Sequence, residues 1–137
     1  METSRRELAA MMAAGVGAAT LSSGHAATPQ GQPMLVHHVF FWLKQAGSPA
    51  DRDRLVAGLR TLAAIPMVRQ LHVGLPAPTE QRDVIDNSYD VSELIYFDNI
   101  ADQKAYQDHP IHRAFVASCE PLWRKVLVYD MAILTPA

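Results

Sequence analysis

Short apolar runs alternate with segments of helical period between residues 34 and 134. The first run, "MLVHHVFFWLK" at 34–44, is β-branched, aromatic and aliphatic and is bounded by Pro33 and "QAGSP", which predicts a strand. Alternation puts Leu35, His37, Val39, Phe41 and Leu43 on one face and Val36, His38, Phe40 and Trp42 on the other. Both sets are largely apolar, so both faces of the sheet need cover. Ser48 then stands as an N-cap, with Pro49 at the first helical position and Asp51 completing a capping pattern. Leu55, Leu59 and Leu62 recur at helical spacing until Pro66 ends the run.

A second strand is predicted over 67–74, weakened by Arg69 and Gln70, and residues 75–88 are turn-rich. The third strand, 89–98, carries Val91, Glu93, Ile95 and Phe97 on one face. Asn99 and Asp102 cap a short helix that runs to Asp108, where Pro110 forces a break and starts another. That second helix presents Ile111, Phe115, Ser118 and Leu122 on one side, with Pro121 near its end, and 126–134 closes the domain as a fourth strand. Strand, helix, strand, strand, helix pair, strand is the order of a ferredoxin-like α+β fold, a four-stranded antiparallel sheet with helices on one face. No element remains to cover the other face. A second copy is the simplest cover, so the expected assembly is a homodimer whose sheets pair into a dimeric α+β barrel.

Residues 1–27 read differently. Arg5 and Arg6 precede a mildly apolar Ala- and Gly-rich run over 9–21 and a small-residue end at Gly24, His25 and Ala26, the pattern of a signal peptide. Ser4, the arginine pair and Leu8 are similar to a twin-arginine export signal, although no phenylalanine follows the pair. The alternative is a disordered, Ala-rich amphipathic tail. Residues 28–33 form a polar lead-in and 34–137 the domain. The expected destination is outside the cytoplasm, periplasmic or secreted, with no membrane association once the signal is removed.

With 137 residues and a net charge of −2, the chain has room for one ordinary domain and lacks the basic face that nucleic-acid binding requires. The single cysteine, Cys119, excludes an intramolecular disulfide framework and a cysteine-based metal cluster. It also lacks an evident activating cation. No glycine-rich phosphate loop occurs, and the histidines lack the i, i+4 spacing of a helical zinc pair, so neither a cofactor nor a metal is expected.

Candidate chemistry rests on imidazole, whose ordinary pKa lies nearest neutrality. His37 shares its strand face with apolar residues, a setting that favours the neutral ring, while His38 faces away. In "AYQDHPIHRAF", 105–115, His109 occupies the cap before Pro110 and His112 lies in the first turn of the following helix. A helix N-terminus disfavours imidazolium and keeps His112 available as a base. Tyr106 could orient a substrate oxygen. Each of the three has a purely structural alternative: a satisfied strand histidine, a packed helix histidine and a core phenol.

The segments "HHVFFWLK", "SELIYFDNIADQKAYQDHPIHRAF" and "VLVYDM" together resemble the stress-responsive dimeric α/β-barrel (Dabb) family over about residues 34–134. The resemblance implies a ferredoxin-like homodimer with a cavity between sheet and helices. The family's best understood activity, that of olivetolic acid cyclase, is a metal-free intramolecular aldol condensation. By that resemblance His37 and His112 correspond to the cyclase's essential histidine pair and Tyr106 to its tyrosine. Val91 and Gly58 depart from the cyclase, which has a histidine and a tyrosine at those places. Two functions follow. In one, His112 is a general base removing a proton α to a carbonyl, with His37 and Tyr106 positioning the oxygen, as in a lyase or cyclase. In the other, the cavity is a non-catalytic, stress-responsive binding site for a small apolar or aromatic ligand.

Overall fold

The computed structural model describes residues 33–135. The signal-peptide reading of 1–27 and nearly all of the lead-in lie outside the described residues.

The central strand is β1, Leu35–Leu43, and its two apolar faces are the reason it lies inside the sheet. It pairs antiparallel with β3, Val91–Phe97, on one side and with β4, Trp123–Ala132, on the other. The short β2, Gln70–Gly74, adds to the outer edge of β3, giving the order β2-β3-β1-β4. Two strand starts lie three residues from expectation. Residues 65–68 close a turn, Val68 N–H donating to the Ile65 carbonyl at 3.0 Å, so pairing starts only at Gln70 opposite Tyr96. At the other end β4 begins at Trp123, opposite Leu43 across a register shift in the ladder. Arg124 and Lys125 concealed that start, because their charges stay outside the core and Lys125 Nζ lies 4.4 Å above the Trp42 ring.

The helices form where the caps put them. In α1, Pro49–Thr61, the Ser48 hydroxyl accepts from Asp51 N–H, and Leu55 and Leu59 are fully buried with Leu62 beyond them. In α2, Ile100–Asp108, Asn99 Oδ1 accepts from Asp102 N–H at 2.8 Å. His109 then ends α2 and caps α3, Pro110–Cys119, its Nδ1 accepting from Ile111 N–H at 3.1 Å. The buried side of α3 is His112, Phe115 and Cys119; of the expected face Phe115 and, beyond the helix end, Leu122 are buried, Ile111 packs partly buried on the core, and Ser118 is exposed. The two sets share Phe115 and differ by a small rotation about the helix axis, which brings His112 and Cys119 inward in place of Ser118. Gly58 on α1 accounts for how closely the two helices approach: a Cβ there would stand 2.5 Å from Cys119 Sγ and 3.2 Å from Phe115 Cδ2. A tyrosine has no room at that position.

All three helices pack on the sheet face that carries Leu35, Val39, Phe41, Ile95 and Phe97. The reverse face carries Val36, Phe40 and Trp42 beside Tyr129 and Met131 of β4, the last two 60% and 56% exposed. His38 also lies there, its Nε2 2.9 Å from Ser92 Oγ.

Candidate functional site

The sheet and α3 enclose a cavity of about 230 Å³ along the β1–β4 side of the helical face. Its polar lining consists of His37 from β1, Glu93 from β3, Gln107 from α2 and His112 from α3, set among Val39, Phe41, Phe115 and Trp123. Val126 and Val128 form the outer wall and remain 37% and 43% exposed, so access is over β4.

His37 is 6% exposed and is less apolar in surroundings than its strand face predicts. The β1–β4 register sets Asp130 directly opposite, and His37 Nδ1 lies 2.5 Å from Asp130 Oδ1. A carboxylate can only accept, so Nδ1 carries the hydrogen and the contact fixes the orientation of the ring. Asp130 stays half exposed, which keeps its carboxylate solvated.

His112 is 9% exposed and packs against Tyr106, ring centroids 4.8 Å apart, and against Phe115. Burial pushes its imidazole below the ordinary value, opposed in part by a hydrogen bond to the Gln107 backbone, and charge on His37 acts in the same direction as burial. The neutral ring is therefore the form this pocket favours. The Gln107 side-chain amide stands 3.5 Å from His112 Nε2, a long contact that a substrate could displace.

Tyr106 is completely buried beneath both histidines, its ring 5.9 Å from that of His37. It supports the two imidazoles from below and does not line the cavity. Its hydroxyl has no hydrogen-bond partner among the described residues. Burial, reinforced by the charge of Glu93, raises its pKa far above the ordinary phenol value. His109 serves as the cap described above, outside this cavity.

Sequence reasoning passed over Glu93 and Asp130. Glu93 is 3% exposed, its Oε2 has no partner among the described residues, and burial pushes its carboxyl up to about 8. At neutral pH it is thus mostly a carboxylic acid, able to donate as well as accept. The available signal was one acid on the otherwise apolar face Val91, Ile95, Phe97. Among the described residues no three His, Cys, Asp or Glu side chains converge as metal ligands. A larger, more open groove of about 400 Å³ lies between α1 and β2, lined by Arg52, Asp53, Arg60 and apolar residues. It offers no neutral base, so the smaller cavity is the better chemical site.

The family model described as the stress responsive A/B barrel domain (Dabb) matches residues 35–133. No curated protein matches the chain. Among solved structures, a Dabb family protein with a ferredoxin-like fold from Mesorhizobium loti MAFF303099 is 30% identical, with a TM-score of 0.61 over 76% of this chain and 100% of its own. A dimeric ferredoxin-like protein of unknown function from Thermobifida fusca YX is 25% identical, with a TM-score of 0.59 over 77% and 97%. Hydroxynitrile lyase from Passiflora edulis is 21% identical, with a TM-score of 0.62 over 77% and 99%, a likeness of fold alone. With the sheet order, the helical face and a family match spanning nearly the whole described domain, the chain belongs to the stress-responsive A/B barrel (Dabb) family.

Proposed function

We propose that the cavity removes a proton α to the carbonyl of a small molecule, with His112 as general base and no metal or organic cofactor. The observation that carries this reading is the convergence of His112 and His37 on one largely apolar cavity, the first held in its neutral form and the second oriented by Asp130. His112 takes the proton, and His37, held in place by Asp130, packs its ring against the substrate and fixes its pose. Tyr106 acts as a positioning residue for both rings. A cavity of about 230 Å³ is below the roughly 300–1,000 Å³ of sites for drug-sized ligands, which restricts the substrate to about one ring. The test is α-deuterium exchange of acetophenone in D2O followed by NMR: the reading requires exchange above the buffer rate that His112→Ala removes while acetophenone still binds. Binding without exchange in the wild type would leave only a ligand-binding role.

The assembly belongs to the same proposal. The exposed Tyr129 and Met131, the aromatic Phe40 and the dimeric state of the Thermobifida fusca relative support a homodimer through the reverse face of the sheet. Met131→Asp places a charge on that face without touching the core. It is expected to convert the dimer to a folded monomer by light scattering, and an unchanged dimer would place the interface elsewhere. Export is proposed from residues 1–27. Changing Arg5 and Arg6 together to lysine is expected to retain the protein in the cytoplasm, and undiminished delivery to the periplasm would remove the twin-arginine route.

A further inference from the structure

Glu93 has no part in the chemistry so far, yet it is the most deeply buried ionisable group on the cavity wall. Its Oε2 lacks a partner among the described residues, and the Tyr106 hydroxyl, close enough to sense its charge, lacks one too. Buried polar atoms are almost always hydrogen-bonded, so a carboxyl of a cavity-lining residue that keeps an unpartnered oxygen is a binding feature. The lining contains no lysine or arginine that could stabilise an anion there. We propose that the Glu93 carboxyl is the cavity's recognition point for substrate oxygen, donating its O–H to the carbonyl of a small uncharged aldehyde or ketone and selecting against carboxylates.

This assignment rests on the α-proton reading above and completes its balance of atoms. As His112 takes the α-proton, the C–H electron pair becomes the enol double bond, and the carbonyl oxygen takes the Glu93 proton. The products are an enol, an imidazolium and a glutamate carboxylate, and the reverse step restores all three groups. The titratable groups that share the cavity with Glu93 are His37 of β1 and His112 of α3, with Asp130 of β4 behind His37 and Tyr106 of α2 near enough to sense its charge, whereas its strand neighbours Val39 of β1 and Val73 of β2 are apolar.

Acetophenone and benzoate, alike in shape and different in charge, are the probes. Their dissociation constants are measured by NMR titration at pH 6.5 and 9.5 for the full-length wild type and Glu93→Gln. The wild type is expected to bind acetophenone at least tenfold more tightly than benzoate at pH 6.5 and to lose at least fivefold of that affinity at pH 9.5. Glu93→Gln, which keeps a donor that does not ionise, is expected to bind acetophenone equally at both values. Benzoate binding as tight as acetophenone, a pH-insensitive wild type, or no acetophenone binding at all would overturn the assignment. If Glu93→Gln does not fold, the two wild-type comparisons still decide it. Deuterium exchange separates the two ideas: the expected preference without exchange keeps Glu93's role and removes the general base, and exchange without the preference does the reverse.

Discussion

Glu93→Gln flattens the pH dependence of folding stability between pH 4.5 and about 8. Over that window Glu93 is protonated in the fold, because burial disfavours its carboxylate, and ionised in the unfolded chain. The folded state therefore binds one more proton, and its stability falls as pH rises. The contribution is complete below 4.5 and lost by the time pH passes the folded value of about 8. A gap of that width corresponds to a loss of about 5 kcal/mol, a large part of a small domain's stability. His112 works with the opposite sign: its value is lowered by burial, so its contribution is present above the ordinary imidazole value and fades as pH falls through the folded one. It cancels when wild type and Glu93→Gln are compared at each pH. Urea denaturation at pH 5 and pH 8.5 checks the difference. A wild-type midpoint that falls toward alkali while that of the variant holds is the expected pattern, and parallel changes would mean that Glu93 ionises freely in the fold.

His112→Ala is expected to lower α-deuterium exchange of acetophenone by at least ~100-fold, within the range for losing a positioned general base. The same change is expected to leave acetophenone affinity within about threefold, since the oxygen contacts come from groups other than His112. Removing the ring leaves a space against Tyr106 and Phe115 that matches imidazole itself. Added imidazole should then restore part of the rate in the variant, with a pH dependence that follows the free base. A residue that only supported the packing would show lost binding, a lowered melting temperature and no rescue. The His37→Ala variant separates the two histidines: loss of Asp130's partner should weaken binding before it slows exchange.

Most of the fold was readable because the signals are local. Ser48, Asn99 and His109 each cap the helix they precede, and alternation correctly divided β1 into two faces. Strand ends were less accessible, since the late start of β2 depends on a turn at 65–68 and the early start of β4 on its pairing with Leu43. The site divided along the same line. His37 and His112 could be proposed from residue type and position, and both line the cavity. Asp130 could not, because its role arises from the β1–β4 register, a long-range property that no periodicity contains. Glu93 was visible as an acid on an apolar face, but a strand acid reads as solvated until the covering helices are known. Tyr106 illustrates the converse: its phenol suggested a substrate contact, while its geometry makes it the layer beneath the two imidazoles. Gly58, a departure from the cyclase pattern, is explained by the close approach of α1 to Cys119.

The most direct test is the pH profile of acetophenone α-deuterium exchange catalysed by the full-length wild-type protein. The account predicts a bell, with an acid limb below the ordinary imidazole value from His112 and an alkaline limb near 8 from Glu93. Exchange no faster than buffer at any pH would contradict it.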